Sequence, residues 1–166
     1  MKQQIIISGI GGQGVLFLTR VIAQVAVNQG IPVLTSETHG MAQRGGTVLS
    51  TIKIGDFSSP LIRTAQADLG ILLWEANLPV HRSLLKTNGQ LLINTENSGE
   101  GTRLDAAKIA RTLGNAVLLN LVLLGLAVNQ KALFCTAEEC EEAIKQLAPA
   151  KFVEQNLAAF QMGLSH

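Results

Sequence analysis

The sequence predicts an α/β fold: one domain over residues 1–166, with a mainly parallel sheet flanked by helices and a helical C-terminal third. Three observations lead there. Short, β-branched apolar runs such as Ile5-Ile6-Ile7 are bounded by glycine, as buried parallel strands are. The first run enters a glycine-rich turn, Gly9-Ile10-Gly11-Gly12-Gln13-Gly14, that opens a helical pattern. From residue 119 onward the apolar spacing is helical throughout.

Taken in order, residues 3–8 form a buried strand and 15–28 a helix with Gly30 past its end. Residues 32–36 form a second strand, completing a strand–helix–strand unit with a Rossmann-like outline. Residues 37–46 read as a polar, glycine-rich loop, and 47–54 alternate as a strand before the Gly55-Asp56 turn. A buried strand follows at 68–74, then a helix at 79–86, a turn at Asn88-Gly89 and a strand at 90–94. Residues 96–102 read as loop and 106–113 as a short helix. The last helices span 119–133, 138–147 with Thr136 as N-cap, and 152–162 beyond Pro149.

Composition narrows the function. Hydrophobic residues make up 47% and charged residues 15% of the 166, against about 25% charged in an average soluble domain. A surface so poor in charge is expected to be covered by a partner, or by a second copy in a homodimer of the isolated chain. The net charge of +1, with no Lys/Arg cluster, speaks against nucleic acid. The apolar stretch 116–128 is broken by Asn120 and Gly125 and is shorter than the roughly 20 residues of a spanning helix. No membrane span and a cytoplasmic location are expected. Cys135 and Cys140 are too few for an iron–sulfur cluster; five apart on a helix, they would face different ways as inert buried thiols.

The turn Gly9–Gly14 has the G-x-G-x-x-G spacing that cradles a dinucleotide pyrophosphate, and Glu37 stands where a ribose-binding carboxylate would. A stand-alone NAD- or flavin-binding dehydrogenase or nucleotide sensor is therefore one reading. Phosphoryl transfer is excluded, because Val15 and Leu16 occupy the positions of the phosphate-loop Lys and Ser/Thr. Under any reading, Gly9, Gly11, Gly12, Gln13 and Gly14 offer backbone N–H groups at a helix N-terminus to an anion or a partner's carbonyl.

The segment Ser36-Glu37-Thr38-His39-Gly40-Met41-Ala42-Gln43-Arg44-Gly45-Gly46 is more specific. Together with Gly9–Val15 it resembles the gamma subunit of 2-oxoacid:ferredoxin oxidoreductases, and most of all the small beta subunit of the indolepyruvate enzymes. Ser59-Pro60-Leu61-Ile62, and the segments 120–127 and 156–163, extend the likeness over nearly the whole chain. The resemblance implies a subunit of an enzyme that oxidatively decarboxylates a 2-oxoacid to an acyl-CoA and reduces ferredoxin. Thiamine diphosphate, magnesium and iron–sulfur clusters would sit in partners: alpha and beta subunits and a ferredoxin-like subunit or domain. The chain alone would bind none of them and be inactive, and a CoA contact is compatible with the likeness.

Within that frame His39 and Arg44 are the active-site-proximal candidates, and Met41, Arg44, Gly45 and Gly46 the interface candidates. Arg44 could fork to a carboxylate, a CoA phosphate or a partner's acidic side chain, or pin its own loop. His39 suits an acid/base role or a structural hydrogen bond. Trp74 reads as a partner anchor or as core. His81 and His166 lack ligand-spaced partners, so no metal site is expected. The glutamates at 138, 139, 141 and 142 suit a helix N-terminus as a solvated face.

Overall fold

The computed structural model describes residues 1–40 and 46–166. Met41, Arg44 and Gly45, singled out from the sequence, lie outside the described residues. Six strands form one sheet: β1 (Gln3–Ile10), β2 (Val33–His39), β3 (Thr47–Ile54), β4 (Ala67–Leu72), β5 (Leu85–Asn94) and β6 (Thr102–Leu104), in the order β2-β3-β1-β4-β5-β6. The β1–β4, β4–β5 and β5–β6 pairs are parallel. β3 alone runs the other way, antiparallel to both β1 and β2. The helices are α1 (Val15–Asn28), α2 (Leu78–His81), α3 (Ala106–Thr112), α4 (Leu119–Asn129), α5 (Ala137–Leu147) and α6 (Val153–Leu164). The sheet is mostly parallel and flanked by helices, as the sequence predicts.

Alternation along the central strands builds two cores. Ile5, Ile7, Ile52, Ile54, Leu69 and Ile71 face one way and bury against α1 and the C-terminal helices. Ile6, Leu72, Leu91 and Ile93 face the other way, under Ile62 and the short helical segment with Leu78 and Leu84. Burial on both faces explains why the central strands read as unbroken apolar runs.

Several elements differ from expectation, each because a tertiary partner prevails over local pattern. The residues read as loop after Ser36 continue β2 to His39, since Glu37, Thr38 and His39 pair with Ser50, Leu49 and Val48 of β3. β1 and β2 are not neighbours: β3 is wedged between them. The helix expected at 79–86 shrinks to the four residues of α2 between two 3₁₀ turns, because Leu85 is drawn into pairing with Ala67. The loop expected over 96–102 gives way at Thr102 to edge strand β6, Thr102–Leu104. The helix expected to reach 133 stops at Asn129. Cys135 lies just before α5, not on a helix with Cys140, and its Sγ comes within 3.5 Å of the Cys140 Sγ instead of facing away. The Thr136 N-cap holds, reinforced by a capping box with Glu139.

α4 and α6 cross at Gly125 and Gly163. A Cβ on Gly163 would strike the Val122 carbonyl and the Gly125 Cα at 3.0 Å; one on Gly125 would strike the Phe160 carbonyl and the Leu164 nitrogen. The two helix backbones touch, so no side chain fits between them. Gly163→Ala is expected to destabilise the chain by about 1–3 kcal/mol through overpacking, read as a lowered denaturation midpoint at unchanged slope. An unchanged midpoint would show that the crossing relaxes freely.

Candidate functional site

The chain leaves β1 at the carboxyl edge of the sheet and turns through Gly9–Gly14 into α1. From β1 the connection runs through α1 toward β2 and β3 on one side, while β4, β5 and β6 lie on the other. The crevice outside such a switch point is where open α/β sheets bind ligands. Gly14 takes a left-handed φ of 76° as the N-cap residue of α1, without a side-chain cap.

The turn is held from three directions. Gln13 accepts a hydrogen bond from the Ile10 N–H (2.9 Å) and donates through Nε2 to the Leu73 carbonyl (3.1 Å), tying the loop to the end of β4. Asn120, in the first turn of α4, donates to the Gly14 carbonyl at 3.0 Å. From the opposite face of the sheet, Asn77 donates to the Gly9 carbonyl at 2.9 Å. The Gln13 amide is thus engaged within the chain. Of the backbone donors read as free from the sequence, Gly11 N–H is taken by the Gly46 carbonyl (3.0 Å) and Gln13 N–H by the Ile10 carbonyl (3.2 Å).

Gly11, Gly12 and Gly14 meet His39, Val48, Ile10, Val15 and Leu16 around a recess of about 370 Å³. The structure therefore brings His39 and the glycine turn together, although 24 positions separate Val15 from His39 in the sequence. Gly46 joins them through its bond to Gly11. Beside the recess Leu16, Val117 and Phe152 are exposed at 38%, 42% and 42%. Phe17, Val117, Asn120 and Phe152 line a second, smaller hollow of about 180 Å³ there. Among the described residues, Leu16, Val117 and Phe152 make this side of the rim apolar.

The geometry argues against a dinucleotide. Because β3 stands between β1 and β2, Glu37 lies a strand further from the glycine turn than a ribose-binding carboxylate would. That displacement is about 5 Å. Among the described residues no three His, Cys, Asp or Glu side chains gather as metal ligands, and no helix is long and apolar enough to cross a membrane. Trp74, at the end of β4, is 44% exposed and is not a core residue.

Two polar networks were not legible in the sequence. Behind the glycine turn, the fully buried Ser8 hydroxyl accepts from Asn77 Nδ2 (3.0 Å) and lies 2.8 Å from Nδ1 of the buried His81. With Asn77 donating to it, the Ser8 hydroxyl can give its proton to a neutral His81 whose Nδ1 accepts. Beyond β4, Glu75 receives the Thr95 hydroxyl (2.6 Å), the Asn97 amide (3.0 Å) and the Arg103 guanidinium (2.9 Å). Together, with Thr95 the strongest, they hold its carboxyl below the usual range. One signal was available: Asn120 in an otherwise apolar stretch is buried and needs a partner.

The chain belongs to the pyruvate ferredoxin/flavodoxin oxidoreductase family, whose model matches residues 4–166. A subunit of indolepyruvate oxidoreductase from Archaeoglobus fulgidus, IorB, is 33% identical, the alignment covering 98% of this chain and 94% of that protein. The crystal structure of a keto/oxoacid ferredoxin oxidoreductase gamma subunit from Geobacter sulfurreducens superposes with a TM-score of 0.80. It is 28% identical, with 98% of this chain and 96% of that one covered. The pyruvate oxidoreductase subunit PORC of Thermotoga maritima shares the fold with a TM-score of 0.82 at 24% identity, over 99% and 96% of the two chains.

Burial lowers the His81 pKa from its ordinary 6.5. A depressed histidine stabilises the fold while neutral. That contribution is complete above about pH 6.5 and is lost as pH falls through the folded-state value. Thermal melts from pH 7.5 down to pH 5 should therefore fall more steeply for the natural chain than for His81→Gln. Parallel slopes would remove His81 from the acid response.

Proposed function

We propose that the chain is the gamma-type subunit of a thiamine-diphosphate-dependent 2-oxoacid:ferredoxin oxidoreductase, packed with its glycine-turn edge beside an active site formed by partner subunits. The partners are alpha and thiamine-binding beta subunits and a ferredoxin-like subunit or domain. The observation that carries this reading is the recess itself. Its rim is exposed and apolar at Leu16, Val117 and Phe152, and His39 is the one ionisable side chain among the described residues that line it. Such a surface suits a neighbour that covers it and lacks an acid–base set to act by itself. Thiamine diphosphate with magnesium and the iron–sulfur clusters, carried by the partners, would supply the decarboxylation and the electron path to ferredoxin.

In this reading the chain positions and seals. The apolar rim excludes water where it meets the partner. With the Gly11 and Gln13 N–H groups engaged within the chain, the N–H groups of Gly12 and Gly14 would meet an anionic group, a CoA phosphate among them, or a partner's carbonyl. His39 is placed to hydrogen-bond whatever fills the recess. Indolepyruvate is the substrate favoured by the likeness to the archaeal indolepyruvate subunit.

The purified chain, given thiamine diphosphate, magnesium, CoA and indolepyruvate or pyruvate, is expected to reduce no viologen dye. Activity should emerge on reconstitution with the partner subunits. Dye reduction by the chain alone would overturn the reading. Arg44→Ala is expected to leave the melt of the isolated chain unchanged and to lower assembly or turnover of the complex. Truncating one side of a two-pronged charged contact at a desolvated interface costs about 2–5 kcal/mol. Arg44→Lys should recover only part, since an ammonium keeps the charge and loses the fork. A destabilised free chain with normal turnover once assembled would refute that role.

A further inference from the structure

At the other end of α4 from Asn120, the chain makes a short connection into α5 that carries a pair of thiols unrelated to the glycine-turn recess. Cys135 precedes the Thr136 N-cap, and Cys140 lies in the helix itself. The connection bends back over the helix start, bringing the two Sγ atoms to 3.5 Å. Cys140 is fully buried, whereas Cys135 is half-buried at the surface. The less buried residue of the pair lies against the fully buried one.

That arrangement is a nucleophile with its resolving partner. A disulfide bond is about 2.05 Å long, so the sulfurs need to close by about 1.5 Å. A soft-metal site is the rival use of two thiols. Among the described residues no third His, Cys, Asp or Glu joins the pair.

Charge around the pair is one-sided. Glu138, Glu139, Glu141 and Glu142 flank Cys140 on α5, and they outnumber Lys131 on the connection and Lys145 further along the helix. The contact with Cys135, then burial, then the Glu139 and Glu141 carboxylates push the Cys140 thiol far above its ordinary value. Cys135, the less buried of the two, is the sulfur placed to attack first.

We propose that Cys135 and Cys140 form a redox-active dithiol that is oxidised to an intrachain disulfide by low-molecular-weight disulfides, and that the surrounding glutamates select cationic or neutral disulfides over anionic ones. Cys135 releases its proton, and its thiolate attacks one sulfur of the reagent R–S–S–R. The reagent's S–S bond breaks, and one R–S⁻ leaves to be protonated as R–SH. Cys140 then gives up its proton and attacks the Cys135 sulfur of the mixed disulfide, expelling the second R–S⁻, which is also protonated. Two protein thiols are oxidised and one small disulfide is reduced to two thiols, with electrons and protons balanced. The new bond pins the α4–α5 connection to the first turns of α5 and leaves the Asn120 end of α4 untouched.

The test uses the full chain, reduced and freed of reductant, then exposed separately to cystamine, hydroxyethyl disulfide and oxidised glutathione. Intact mass should fall by two hydrogens with loss of both titratable thiols, and the product should stay monomeric on a non-reducing gel. Cystamine should react about tenfold faster or more than oxidised glutathione, the order expected of electrostatic steering. Cys140→Ser should stop at the mixed disulfide, and Cys135→Ser should react far more slowly. The natural chain alone can decide: a stable adduct without loss of two hydrogens, or a disulfide between chains, overturns the dithiol. Equal rates for the cationic and anionic reagents overturn the selection by charge. A Cys135→Ser chain that melts like the natural one and reacts as fast overturns the order of attack.

Discussion

Where β1 ends, the backbone has to pass Gly14 at a φ of 76° and start α1 without any side-chain cap. A helix opened this way has nothing of its own to fix its first turn. Asn120 supplies the missing hold by taking the Gly14 carbonyl, and Gln13 fixes the preceding residues to the end of β4. The Asn120 side chain lies so close to Gly14 that a Cβ there would collide with it. Glycine is thus required twice at this position, by backbone conformation and by the neighbour that restrains it. The glycine-turn side of the recess, with Leu16 exposed on it, is built on that joint.

α4 transmits the core to the joint. Its middle is buried on every side and meets α6 through bare backbone at Gly125 and Gly163, which leaves the helix little freedom to slide. Its first turn can therefore hold Asn120 against the glycine loop as a fixed point. Behind the sheet, Ser8, Asn77 and His81 do the same for the last residues of β1. A buried polar cluster of this kind is stable only when every member is satisfied, so it specifies one position for the short helix that carries it.

The wedged strand β3 separates this fold from a dinucleotide-binding domain with the same glycine spacing. It carries β2 to the edge of the sheet and Glu37 with it. In exchange, the β2–β3 pair brings His39 and Val48 over the mouth of the glycine turn. The same G-x-G-x-x-G spacing therefore serves a different surface, one rimmed by apolar side chains and lined by a single histidine among the described residues.

By itself the sequence determined what short-range physics controls. Apolar runs and β-branched residues marked β1, β3 and β4, the glycine turn marked the start of α1, and Thr136 marked the N-terminus of α5. The segment 36–46 with the glycine turn carried the resemblance to the family to which the chain belongs. Long-range pairing decided the rest. Strand order is set by which edges find each other, so the place of β3, the extension of β2 to His39 and the existence of β6 left no local trace. The partners of Asn120, His81 and Glu75 lie 106, 73 and 28 positions away. Helical spacing misjudged how the two cysteines face, because it was applied across the helix boundary at Thr136: only Cys140 lies in the helix, and the sulfurs lie 3.5 Å apart. Polar groups and thiols acquire their roles from whatever the folded chain sets beside them, and residue spacing carries that information only inside one regular element.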